Sequence, residues 1–189
     1  MDIFLLIILF ITLVIAISMF TFFFMTGVPP LSSSRSEISD IIALLKEGGL
    51  PDNAIIYELG SSWGALAIAL SQAFPNAQIR GVEISPFPYW IGRFRTRNNP
   101  NITLRRANLF KVDLKEADAV TCYLMIKSMP KLANYLDTML KPGTLVVPLA
   151  FWFRDRQLSA RRHGPGIRGE VALYHWPAKN ITRETTSVI

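Results

Sequence analysis

Between residues 58 and 64 the chain reads Glu-Leu-Gly-Ser-Ser-Trp-Gly, directly after the apolar run 54–57. Gly60 permits a tight turn and Gly64 a close approach where a helix begins, leaving the backbone N–H groups around Ser61 and Trp63 free to face a ligand. About twenty residues beyond that turn a second apolar run ends in Glu83, with Ile84 beside it, placed to accept hydrogen bonds from ribose hydroxyls. A glycine turn alone is shared by any tight strand–helix connection. Joined to a strand-end acid, it points to a cofactor that carries adenosine. A dinucleotide site wants closely spaced glycines around a pyrophosphate. Here Ser62 takes a central position, and Glu58 puts negative charge at the strand end. That charge repels a diphosphate and suits the amino group of an amino-acid moiety.

These residues need a scaffold to hold them, and the surrounding pattern supplies one. An apolar strand at 54–59 enters the turn, a helix at about 64–74 stops at Pro75, and a strand at 78–84 carries Glu83. Then come a helix at about 87–96, short strands at 102–106 and 118–124, and a helix at about 130–140 that opens on Pro130. A strand at 144–147 runs into Pro148, which marks its end or an irregular edge. Strand–helix alternation at this spacing predicts a Rossmann-like, doubly wound α/β fold with a mostly parallel sheet and helices on both faces. Segment 154–169 is rich in Arg and Gly, and 170–176 (EVALYHW) reads as one more strand.

Upstream the composition changes. The chain has 189 residues, a mean hydropathy of +0.30 and a formal charge of +6. Residues 3–25 contain 20 apolar residues, broken only by Thr12, Ser18 and Thr21, and about 45% of the remainder is apolar, ordinary for a globular domain. This excludes a disordered chain, a multi-span transporter and a simple soluble protein. As a helix the run rises roughly 35 Å, enough for a hydrocarbon core of about 30 Å. A cleaved signal peptide is disfavoured: no Lys or Arg precedes the run, it exceeds the usual ~7–15 residues, and no small-residue cleavage site follows. Arg35 and Lys46 follow the run while only Asp2 precedes it, which places the domain on the cytoplasmic side of an inner or plasma membrane, or on the equivalent matrix side.

The expected organisation is a transmembrane anchor over 1–26, a linker and capping helix over 27–50, and one domain over 51–189. Gly27, Pro29, Pro30 and the serines at 32–34 make the linker. Ser34 and Glu37 have capping-box spacing, Ile38, Ile41, Ile42 and Leu45 share one helical face, and Gly48 and Gly49 stop the helix. The single Cys122 excludes an intramolecular disulfide.

The loop from Glu58 to Gly64, the strand-end Glu83, Asn108 with Leu109 after the third strand, and Leu140-Lys141-Pro142-Gly143 before the fifth resemble the class I S-adenosylmethionine (SAM)-dependent methyltransferases. A closer resemblance covers most of the chain. The apolar run, PPLSSSRSEI, ELGSSWG, VEISPFPYWIGRFR, NLFKVDL and GEVALYHW are similar to the membrane-anchored protein-lysine methyltransferases. Members of that family modify lysines of mitochondrial membrane proteins, the ATP synthase c-subunit and the adenine nucleotide translocase, and have bacterial relatives. The resemblance implies SAM as cofactor, held by Glu58, Gly60, Ser61, Trp63, Gly64, Glu83, Ile84, Asn108 and Leu109. It also implies a lysine of a membrane-associated protein as acceptor. The family usually carries a second glycine where Ser62 stands, an acid where Trp63 stands, and commonly Asp where Asn108 stands.

Methyl transfer to an amine needs alignment, desolvation and an acceptor that has shed its proton, against an unperturbed lysine pKa of ~10.4. No residue reads as an unambiguous base. Segment 123–129, after the fourth strand, lies on the acceptor side by its place in the fold, and Tyr123 is its polar candidate; a core-edge tyrosine with its hydroxyl in water is the competing reading. Cys122 reads as a buried small residue, and His163 and His175 lack partners at metal-ligand spacing, so no metal is assigned. Beyond the anchor 20 basic residues face 13 acids, a charge of +7, with Arg93, Arg95, Arg97, Arg105 and Arg106 close together. That balance suits anionic headgroups or is simply a solvated basic face, and a tether argues against nucleic acid. The expected partners are the lipid bilayer and a membrane-protein substrate. Two other readings stay open: a catalytically degenerate relative acting as a membrane-tethered scaffold or assembly factor, motivated by Ser62 and Trp63, and a methyltransferase of a small molecule or lipid headgroup.

Overall fold

The computed structural model describes residues 3–26, 33–162 and 170–178, with the side chains of Met19 and 22–26 outside the description. Gly27, Pro29, Pro30 and Ser32 of the expected linker, and His163 and Arg168, lie outside the described residues. The first apolar run is a helix, α1 (Ile3–Thr26). Among the described residues no helix is long and apolar enough to cross a membrane.

Helix α2 (Arg35–Glu47) starts at the expected two-way cap. The Ser34 hydroxyl accepts the Glu37 N–H at 3.3 Å, and the Glu37 carboxylate accepts the Ser34 N–H at 2.6 Å. Gly49, at φ +76°, takes the left-handed conformation that ends the helix.

From there strands and helices alternate as the sequence predicts: β1 (Ile55–Leu59), α3 (Ala65–Ala73), β2 (Gln78–Glu83), α4 (Pro86–Thr96), β3 (Ile102–Arg106), β4 (Ala119–Cys122), α5 (Met129–Met139) and β5 (Thr144–Pro148). The chain then adds β6 (Ala160–Arg162) and β7 (Val171–Trp176). The sheet order is β3-β2-β1-β4-β5-β7-β6, with β1 to β5 parallel and β7 antiparallel to both its neighbours. The doubly wound, mostly parallel sheet expected from the pattern is present.

Two details differ from the sequence reading. Strand β6 lies in the segment read only as rich in Arg and Gly, because three residues are too few to establish a period. Strand β4 stops at Cys122, so Tyr123 and Leu124 leave the sheet for the loop above it. Pro148 marks the end of β5 as expected: it sits where the ladder to β7 is interrupted, between Val146 and Leu149, so its missing N–H costs no bond.

Two cores flank the sheet. On one face α2 and α3 bury Leu44, Leu45 and Leu70; on the other α5 buries Leu132 and Leu136. Each such side chain contributes about 1.5–3 kcal/mol. Helix α4 packs against β2, β3 and α3, and α1 touches it. The chain leaves central β1 toward β2 on one side and returns to β4 on the other. The carboxyl ends of β1 and β4 therefore form the crevice where ligands bind in such sheets.

Candidate active site

Glu58, one residue before the end of β1, is 5% exposed. Burial and then the nearby charge of Glu83 push its carboxyl pKa well above the ordinary value, against a single lowering contribution from the Ala67 N–H. Its Oε2 is buried without a hydrogen-bond partner among the described residues. A dry carboxylate with an unused acceptor favours a cation and rejects a phosphate, which fits the amino-acid end of a SAM-type cofactor.

The following loop is held in place by β2 and α4. Gly60 (φ +91°) and Gly64 (φ +77°) occupy left-handed conformations, as their placement at a tight turn requires. Ser62 does so too, at φ +45°, with a side chain that makes the conformation unfavourable. Glu83, buried at the end of β2, braces this loop: one oxygen accepts the Ser62 N–H at 2.8 Å and the other the Ser85 N–H at 2.7 Å. A carboxylate offers about four lone-pair sites, so two remain for ribose hydroxyls.

The sequence reading missed two glycines that bring these pieces together. A Cβ on Gly81 would fall 2.9 Å from the Ser61 Cβ and collide with Leu104; one on Gly92 would lie 3.0 Å from the Ser62 carbonyl. An isolated glycine inside a strand pattern was the available signal for Gly81. Arg95 of α4 also donates to the Trp63 carbonyl at 3.0 Å.

Glu58, Gly60, Ser61, Trp63 and Tyr123 all line one cleft that is partly open to solvent. Ser62, Cys122, Ser33 and Ile41 complete much of its wall. Ser33 and Ile41 come from the segment before β1, and nothing in their local sequence marks them as site residues. Burial pushes the Cys122 thiol pKa up to about 12, so it is a protonated wall residue rather than a nucleophile. Gly64 stands behind the cleft at the start of α3. Ile84, Asn108 and Leu109 lie along the carboxyl ends of β2 and β3 instead of in the cleft wall. The Ala107 N–H binds the Glu83 carbonyl at 3.0 Å, which sets Asn108 beside that strand end. Asn108 is exposed and caps the short turn Leu109–Lys111 by accepting the Phe110 N–H at 3.0 Å. Among the described residues no cluster of His, Cys, Asp and Glu could hold a metal, and the His175 ring meets only Ser159 at 3.1 Å.

A parallel sheet with a glycine turn, a buried strand-end carboxylate and a second acid bracing that turn defines an adenosine-cofactor enzyme of the class I methyltransferase type. Residues 58–160 match the family described as the ANTKMT methyltransferase domain, and the chain belongs to that family. It is a SAM-dependent methyltransferase. A protein of Saccharolobus islandicus named as a protein-lysine N-methyltransferase is 29% identical over 114 residues, covering 59% of this chain and 71% of that one. Among solved structures, an RNA methyltransferase from Salinibacter ruber in complex with S-adenosylhomocysteine is similar with a TM-score of 0.70 at 24% identity, over 82% of this chain and 98% of that one. Rickettsia typhi PKMT2, also with S-adenosylhomocysteine, is similar at a TM-score of 0.51 and 17% identity, over 60% of this chain and 25% of that one. At these identities the two structural likenesses speak for the fold.

Proposed function

We propose that this methyltransferase transfers a methyl group to the ε-amino group of a lysine in a membrane-associated protein, with α1 as its anchor and the domain on the cytoplasmic or matrix side. The observation that carries the site reading is the buried, unpartnered Oε2 of Glu58 beside the glycine turn. The relative named as a protein-lysine methyltransferase supports the acceptor class. The apolar run 3–25, and the exposure along α1 of side chains such as Phe4 and Phe10, support the anchor.

Bound SAM supplies an electrophilic methyl group on a sulfonium. Glu58 would hold the cofactor's amino group and Glu83 its ribose hydroxyls, with the turn from Gly60 to Gly64 supplying backbone N–H groups between them. Tyr123 stands on the acceptor side of the cleft and orients the incoming amine. Burial of that amine among Leu66, Leu149 and Cys122 disfavours its charged form and so helps it shed its proton before attack. Asn108 and Leu109 would border the adenine end.

The test is incubation of membranes lacking this enzyme with the purified full chain and methyl-labelled SAM. Label on lysine in a protein band is expected. Label in the lipid extract would favour the headgroup reading, and label in neither would overturn the proposal.

A further inference from the structure

Helix α4 turns two unlike faces outward and inward. Pro88, Tyr89, Gly92 and Thr96 are buried against the domain, whereas Trp90 is 58% exposed, Phe94 64% and Ile91 36%. At 100° per residue, Trp90, Phe94 and Ile91 fall within one 100° arc opposite the buried side. Arg93 and Arg97 flank one border of that arc and Arg95 the other. The ion pairs of the described residues engage Arg80, Arg156, Arg161 and Arg162 and none of these three. Arg97 lies over the Phe94 ring at 3.9 Å and Arg93 over Trp90 at 5.8 Å, so cation and aromatic form joint units.

The geometry points to α4 as a membrane-docking helix that seats Trp90, Ile91 and Phe94 at the acyl boundary of an anionic phospholipid surface. An apolar arc bordered by arginines is the arrangement of an interfacial helix. Arginine stems bury alongside the arc while their guanidinium groups reach phosphates. The occupant is a lipid surface because α1, the proposed anchor, touches this helix and because the border charge is wholly positive. The inference rests on the anchor reading, and it adds a second contact that fixes how the domain lies on the bilayer.

The test uses the full chain in vesicles of phosphatidylcholine and phosphatidylglycerol, with tryptophan emission read with and without brominated acyl chains. Subtracting a Trp90→Phe variant isolates Trp90, whose exposure makes the change safe for folding. Phe94→Trp in that background supplies a second reporter. The expected result is strong quenching of both reporters by brominated lipid and shielding from iodide. Arg93→Glu with Arg97→Glu should abolish the quenching while the chain stays resistant to alkaline extraction. A resistant chain whose reporters ignore brominated lipid and remain open to iodide overturns the docking inference alone. A chain that never joins the vesicles overturns the anchor reading and this one together.

Discussion

The carboxylate of Glu83 accepts the backbone N–H of Ser62 at 2.8 Å, so the end of β2 braces the turn that follows β1. Its other oxygen takes the Ser85 N–H at 2.7 Å, at the start of α4. A glutamine keeps only one acceptor oxygen and sets an NH₂ group against the other N–H. Glu83→Gln is therefore expected to cost about 1–3 kcal/mol of stability, and SAM affinity should fall about tenfold for each 1.4 kcal/mol lost at the loop. Thermal unfolding and calorimetric titration with SAM check this. An unchanged melting temperature with unchanged affinity would remove Glu83 from the site.

Ser62 occupies a left-handed conformation at φ +45°, and its hydroxyl is buried with no hydrogen-bond partner among the described residues. That conformation costs an L-residue about 1–2 kcal/mol, partly offset in a glycine by the extra freedom of its unfolded state, about 0.5–1 kcal/mol. Ser62→Gly should therefore stabilise the protein by roughly 1 kcal/mol in denaturant titrations. Ser62→Ala removes the hydroxyl and keeps the strain, so it should gain less. A destabilised glycine variant would contradict the account.

The carboxyl pKa of Glu58 is raised first by burial and then by Glu83. An acid whose folded pKa lies above its unfolded one holds its proton longer in the folded state. Its contribution to stability is thus complete below the ordinary value of 4.5 and is lost as pH rises toward the folded value. Ionisation also favours the cationic end of SAM, so wild-type SAM affinity should climb through the same window. Glu58→Gln should flatten both curves. Melting temperature and SAM affinity measured against pH decide it, and parallel curves for the two proteins would refute the assignment.

Tyr123 lines the cleft just past the end of β4. If its hydroxyl orients the acceptor, Tyr123→Phe should lower kcat by about tenfold, less than the 10²–10⁴-fold that a general acid or base supplies. SAM affinity should be unaffected. Full kcat in the variant would return Tyr123 to a wall residue.

Local patterns carried much of this protein. The two-way cap of Ser34 and Glu37, the turn at Gly60, and the strand-end acids Glu58 and Glu83 are set by residues a few positions apart, and so is the strand–helix alternation. Propensity, capping and period act over that range, which is why the fold class and the turn at the candidate site could be read directly. The tertiary structure decided what depends on residues distant in sequence. It placed Ser33 and Ile41 in the cleft wall, and it spent two of Glu83's acceptor sites on backbone N–H groups. It required Gly81 and Gly92 for close approach, and it left Trp90, Ile91 and Phe94 facing outward. A glycine or a tryptophan has the same local propensity whether or not another segment passes over it. Only the packing of α4 and the loop against the sheet determines which is covered.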